Sequence, residues 1–332
     1  MATIKDVAAL AGVSYTTVSH VINNSRPVSD HARSEVADAI RKLSYVPSAI
    51  ARSLKHRATA TIGLLISNNT NPFFSELARG IEDACYQNGY SVILCNSDDD
   101  PKREQTYLRV LLERRIDGLI ISSTGEDRNL AKQLSDIGIP FVVVDRPIPG
   151  LKANLVQIDH LNGGYLATKH LVSLGHRTIG CIAGPYSAAV SLERVEGYRR
   201  ALKQAGIPYR TTYVVESDFT CEGGYKAGSK LLKNRGLTAV FASNDLMGIG
   251  LLRLASELGL AVPHQLSIVG FDDIELCRYV HPALTSVGHS IQHQGELTAR
   301  TLIELINQGG NAKVRRIALA PTLAVRDSAA PR

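Results

Sequence analysis

The stretch T-I-K-D-V-A-A-L-A-G-V-S-Y-T-T-V-S-H-V-I-N, Thr3 to Asn23, carries the signals for two helices and the turn between them. Thr3 with Asp6 three residues on reads as a helix N-cap with an acid beside the positive helix end. Ile4, Val7, Ala8 and Ala11 follow at helical spacing. Gly12 is the residue best able to leave a helix, and Ser14 caps the next one, expected over about Tyr15–Asn23. That helix turns Val18, Val21 and Ile22 inward and shows Tyr15, Thr16, Ser19 and His20 on its other face. After a loop with Pro27, Ser29 starts a third helix with the stripe Val36, Ile40 and Leu43. Three short helices with a glycine turn between the first two follow the helix-turn-helix plan. A plain three-helix bundle with a solvated polar face has the same apolar pattern. The start of the second helix separates the two readings: Tyr15, Thr16 and His20 can reach base edges in a major groove, and the Ser14 end directs backbone N–H groups at phosphate.

Charge points the same way. Residues 1–58 hold eight Lys/Arg against four acids, so most of the chain's +6 sits in its first sixth, an electrostatic footprint suited to nucleic acid. The whole chain has 332 residues, 44% apolar and 20% charged, which allows two compact units at roughly 150 residues each and excludes disordered or fibrous compositions. No stretch approaches the ~18 uncharged apolar residues of a membrane span, and the start lacks a basic region followed by an apolar one. The five cysteines are scattered, odd in number and without a C-x-x-C pair, as expected of reduced thiols rather than a disulfide or zinc framework. A cytoplasmic protein with no membrane partner is expected.

The sequence of residues 3–23 closely resembles the DNA-binding headpiece of the LacI/GalR family of bacterial repressors, over consecutive positions that include both caps and the turn. The resemblance implies a headpiece at 1–46 with Thr3, Ser14, Tyr15, Thr16, Thr17, Ser19, His20 and Asn23 at DNA. Residues 47–58, which by themselves read as an exposed basic linker or a helix too short to stand alone in water, then look like the family's hinge helix. In that family the hinge orders on the operator, with a leucine matching Leu54 wedged into a central minor-groove step and Ala51 and Lys55 beside it. Two hinges must pack together, which implies a homodimer on a pseudo-palindromic double-stranded operator. No apolar heptad tail of the kind a coiled-coil tetramer needs follows.

From Thr61 the pattern changes to alternating short β-rich runs and helical stretches. One set has strands at Ile62–Ile66, Ser91–Leu94, Gly118–Ile121 and Phe141–Val144. A second, after Asp159, has Thr178–Ile182, Tyr213–Val215, Ala239–Ala242 and Ser267–Val269. Such βα alternation predicts an α/β architecture of two doubly wound parallel-sheet lobes within 59–332. Lobe 1 is expected at about 60–159 and 290–317, and lobe 2 at about 160–288 and 318–328, the chain crossing near Ser286–Ser290. Ligands of open α/β sheets bind beyond the carboxyl ends of the strands. Those ends carry Asn71, Phe73, Phe74, Asp145, Arg146, Phe219, Asn244 and Asp272, with Arg194 on a following helix. Carboxylates, amides and guanidinium groups bridge neighbouring hydroxyls, and phenyl rings cover C–H faces, so the set suits a small polyhydroxylated ligand. Each has a plainer reading as core ring, surface ion pair, helix cap or turn former. Asp98-Asp99-Asp100 reads as a solvated loop before a helix.

This half resembles the periplasmic sugar-binding fold that LacI/GalR regulators carry, through N-P-F-F, E-R-V-E-G-Y, S-N-D-x-M-x-x-G and V-G-F-D-D. Matched to ribose-binding proteins, Asn71, Asp145, Arg146, Arg194, Asn244 and Asp272 fall on polar sugar contacts, and Phe73, Phe74 and Phe219 on stacking rings. His289 stands where the family commonly has Gln; an imidazole cannot copy an amide's paired bonding, which puts strict ribose specificity in doubt. Headpiece and hinge are similar to those of ribose and purine repressors, so a purine base acting as co-repressor is the rival to a pentose inducer. No Walker, G-x-G-x-x-G, G-x-S-x-G or H-E-x-x-H motif occurs, and His289 and His293 lack a third metal ligand. The expectation is a DNA-binding repressor without cofactor or metal and not an enzyme. An α/β enzyme or a transport-type binding protein is the alternative class.

Overall fold

The computed structural model describes residues 2–45, 58–123, 129–234, 236–309 and 313–332. The chain divides into two compact units, Met1–Thr59 and Ala60–Arg332. The expected hinge, with Ala51, Leu54 and Lys55, lies outside the described residues apart from Ala58.

In the first unit α1 (Ile4–Leu10), α2 (Tyr15–Asn23) and α3 (Asp30–Lys42) surround Val7, Ala8, Ala11, Val18, Val36 and Ala39. The start of α1 is a reciprocal capping box: Thr3 N donates to Asp6 Oδ2 at 2.7 Å, and Asp6 N donates to Thr3 Oγ1 at 3.3 Å. Gly12 takes φ +63°, open to glycine at no steric cost. Ser14 Oγ then accepts from Thr17 N at 3.1 Å and opens α2.

The second unit runs β1 (Thr61–Ile66), α4 (Pro72–Gln87), β2 (Ser91–Asn96), α5 (Pro101–Glu113), β3 (Gly118–Ile121), α6 (Leu130–Ser135), β4 (Phe141–Val144) and β5 (Asn154–Ile158). It continues with α7 (His160–Ser173), β6 (Ile179–Ala183), α8 (Ala189–Gln204), β7 (Val214–Glu216), α9 (Cys221–Leu231), β8 (Ala239–Ala242), α10 (Asp245–Glu257), β9 (Ser267–Asp272) and β10 (Thr285–Gly288). The last elements are α11 (Ile291–Asn307), β11 (Arg316–Leu319) and β12 (Thr322–Ala324). Two six-stranded sheets result, ordered β11-β5-β4-β3-β1-β2 and β12-β10-β9-β8-β6-β7. Their pairings are parallel apart from β12 on β10. Helices cover both faces, so β1, β6 and β9 read as nearly unbroken apolar runs, the signature of strands buried on both sides.

The chain passes between the sheets three times, at 158–160, 288–291 and 319–322. Two strands of the first sheet have no counterpart in the sequence reading. β5 is interrupted by Gln157, and β11 opens on Arg316 at an exposed edge, so neither shows a long apolar run. The expected crossing near Ser286–Ser290 overlaps the end of β10, an inner strand whose buried Thr285 and Ser286 hide it from a hydrophobicity pattern, and the chain leaves the second sheet directly after it. β11 stays in the first sheet through Leu319, later than the expected switch at 317. The tail beyond 328 holds to the second lobe: Ser328 Oγ donates to Ile268 O at 2.6 Å and Arg332 N to Leu174 O at 2.8 Å.

One close approach positions the site. A Cβ on Gly164 of α7 would meet Arg194 O at 2.1 Å, and one on Gly197 of α8 would meet Leu161 O at 2.1 Å. These glycines let α7 and α8 lie backbone to backbone and bring the head of α7 beside Arg194.

Candidate functional site

Loops at the carboxyl ends of strands from both sheets meet around one cavity of about 20 Å³. Its wall is Asn71, Phe73, Phe74, Asp145, Arg146, Val190, Arg194, Phe219, Asn244 and Asp272. Each polar member is fixed by its own local structure. Asn71 caps α4, its Oδ1 accepting from Phe73 N at 3.1 Å, and Phe73 and Phe74 meet edge to face at 5.1 Å. Asn244 caps α10 by accepting from Met247 N at 2.9 Å, while its Nδ2 donates to Phe219 O at 3.0 Å and ties down the loop that carries the third ring. Arg194 Nη2 lies 3.1 Å from Asp272 Oδ1, Nη1 donates to Ser243 O at 2.5 Å, and the guanidinium sits 3.8 Å above the Phe271 ring.

Arg146 spans the cleft. Its guanidinium lies 5.4 Å from the Phe74 ring of one lobe and 5.8 Å from Phe219 of the other, and Nη1 donates to Asp99 Oδ1 at 3.0 Å. The acidic loop is therefore more than solvated surface: Asp99 holds Arg146, and Asp100 caps α5.

Three wall residues take left-handed backbone, Asp145 at φ +65°, Phe219 at +64° and Asp272 at +107°. Such conformations cost on the order of 1–3 kcal/mol each for residues other than glycine and concentrate at ligand clamps. Among the described residues, buried polar atoms without a hydrogen-bond partner include Asp145 Oδ1 and Arg146 Nε in the wall. Ser122 Oγ and Ser243 Oγ, directly after β3 and β8, and Ser191 Oγ beside Val190 are unpartnered too. Buried unpaired polar groups are rare because each costs roughly 1–3 kcal/mol; the two in the wall, on Asp145 and Arg146, suit a hydrogen-bonding occupant. Burial pushes the Asp272 carboxyl upward, opposed by Arg194, and likewise raises Asp245, which accepts from Ser286 Oγ and Ile274 N behind the cavity.

His289 is not in the wall. Its Nε2 meets Gln294 Oε1 at 2.7 Å, and its Nδ1 is buried without a partner. Sequence reasoning missed Val190, an ordinary apolar residue in the first turn of α8. It also missed His160, fully buried at the head of α7 between Asp145 and Arg194. A single His after a helix-capping Asp carries no pattern that marks it.

On the headpiece, Thr3, Ser14 and Thr17 are engaged in capping, Ser14 Oγ and Thr17 Oγ1 lying 2.9 Å apart. His20 Nδ1 is 2.9 Å from Ser25 Oγ, and Asn23 Nδ2 donates to Ser19 O at 2.8 Å. Tyr15, 63% exposed, and Thr16 stand out from the first turn of α2.

Residues 3–48 match the family model for bacterial regulatory proteins of the lacI family, and residues 59–321 match that for periplasmic binding proteins and the sugar-binding domain of the LacI family. The chain belongs to the LacI family. Among LacI-family relatives, the HTH-type transcriptional repressor PurR of Vibrio vulnificus (strain CMCP6) is 40% identical over 99% of this chain and 98% of its own. The ribose operon repressor of Escherichia coli (strain K12) is 42% identical over 99% of this chain and all of its own. The lac repressor dimer bound to operator and the anti-inducer ONPF superimposes with a TM-score of 0.87 at 30% identity, covering 99% of each chain. A LacI-family regulator from Enterococcus faecium with bound ribose gives 0.74 at 36% identity over 82% of this chain and 99% of its own. LacI-family membership makes the chain a DNA-binding transcriptional repressor with an effector-binding domain.

Proposed function

We propose that the effector is a pentose, ribose in the first instance, which enters the interlobe cavity and releases a homodimer from a pseudo-palindromic operator in the cytoplasm. The observation that carries the ligand reading is the wall itself: two carboxylates, two guanidinium groups and two amides alternate with three phenyl rings around one point. Paired hydroxyls satisfy such a set through charge-assisted bonds, and the rings cover the sugar's C–H faces. A cavity of about 20 Å³ holds no more than a water molecule, so entry requires the lobes to part and Arg146 to leave Phe219. Effector binding thus acts on a two-state element, and its differential affinity for the two states is what shifts the grip on DNA. At the headpiece, the exposed first turn of α2 supports base reading by Tyr15 and Thr16, with Ser19, His20 and Asn23 behind them.

A second reading, a purine base acting as co-repressor, is favoured by the similarity to PurR. Asp145-Arg146 with Asn244 suits hydroxyls better than a flat heterocycle. Titration calorimetry of the full chain with D-ribose and with purine bases decides between them. Heat from ribose alone supports the pentose; heat from a purine base alone replaces it.

A further inference from the structure

His160 opens α7, where the chain passes from the first sheet to the second, and its side chain is wholly buried. Its two ring nitrogens face different lobes. Nδ1 lies 3.3 Å from both Nε and Nη2 of Arg194, in the second lobe. Nε2 lies 3.3 Å from the Asp145 carbonyl and 3.5 Å from Asp145 Oδ1, in the first.

A guanidinium has donors only and stays charged, so Nδ1 accepts and the single proton of the neutral ring sits on Nε2, donating to Asp145. The ring also stacks on Phe271 at 6.0 Å, the same ring that Arg194 covers. The approach of α7 to α8 through Gly164 and Gly197 keeps imidazole and guanidinium within reach. Arg194 is thereby held by three acceptors, His160, Asp272 and the Ser243 carbonyl, and Asp145 is held in its left-handed turn.

We propose that His160 is the positioning residue that ties Arg194 of one lobe to Asp145 of the other, so that the polar contacts to the effector are set as one unit across the cleft. This rests on the effector reading above. His160 itself stands outside the cavity wall and acts through the two residues that line it.

The test has two arms. In full-length protein labelled with ¹⁵N-histidine, two-bond ¹⁵N–¹H spectra at neutral pH show the His160 ring with its proton on Nε2; a proton on Nδ1 overturns the proposal whatever the effector is. In calorimetry with D-ribose, His160→Ala weakens binding about tenfold or more, as expected for lost bonds to charged groups. Added imidazole restores the affinity, and pyrrole, with no acceptor nitrogen, does not. His160→Asn, which keeps the acceptor toward Arg194, falls between; should His160→Ala fail to fold, this variant and the spectra still decide. Unchanged ribose affinity in either variant, or a folded His160→Ala that imidazole leaves unrestored, overturns the proposal. Absence of ribose heat in the unaltered protein counts against the pentose reading instead, and the tautomer still decides the bridge.

Discussion

Lowering the pH from 7 to 5 should work against the fold at one ring. Burial and the neighbouring Arg194 push His160 down to about 3 from its ordinary 6.5, with Asp145 pulling the other way and His289 adding to the depression. A base depressed in the folded state stabilises the fold fully above its unfolded value, and that stability drains as pH falls toward the folded one. At about 1.36 kcal/mol per unit, the roughly 1.5 units between the ordinary 6.5 and pH 5 cost about 2 kcal/mol. His170, His176 and His289 are also lowered by burial and add to that loss, while the raised Asp245 and Asp272 carboxyls act with the opposite sign. The informative quantity is therefore the difference between wild type and His160→Gln. Urea unfolding followed by circular dichroism at both pH values measures it. Wild type should lose about 2 kcal/mol more than the variant; identical losses refute the buried neutral imidazole.

Other perturbations test other parts. Gly164→Ala puts a methyl group where Arg194 O stands 2.1 Å away and cannot be absorbed by a side-chain rotation; a fall in thermal midpoint and weaker ribose binding should appear together in thermal shift and calorimetry. Ser14→Ala removes the cap of α2 and should cost the headpiece about 1 kcal/mol, read as faster amide exchange in α2. Arg194→Met should abolish ribose heat, since it strips the partner from Asp272; retained heat would move the pocket elsewhere. Leu54→Ala should weaken specific DNA binding more than non-specific binding in fluorescence anisotropy, and equal losses would refute a minor-groove wedge.

Much of this architecture is legible in residue order because its determinants are local. Thr3, Gly12 and Ser14 announce their caps and turn by type and spacing. The strands buried on both faces announce themselves as apolar runs, and once those are placed the cavity residues follow from strand ends. What escapes is long-range. β5, β10 and β11 are completed by neighbours that pair with them rather than by their own composition. Asp99 reaches Arg146 across 47 positions, and His160 meets Arg194 across 34, distances at which a sequence carries no periodic signal. The resemblance puts His289 among the ligand contacts, whereas the cavity lining does not include it and its Nε2 meets Gln294 Oε1.

The most direct measurement is the anisotropy of labelled duplexes, a candidate promoter fragment and a random sequence of equal length, titrated with the full chain at fixed salt with and without D-ribose. Tight binding to the promoter fragment that ribose loosens, against weak ribose-insensitive binding to the random duplex, is the expected result. Equal affinity for both duplexes, unmoved by any sugar or purine, would contradict a metabolite-controlled reader of DNA.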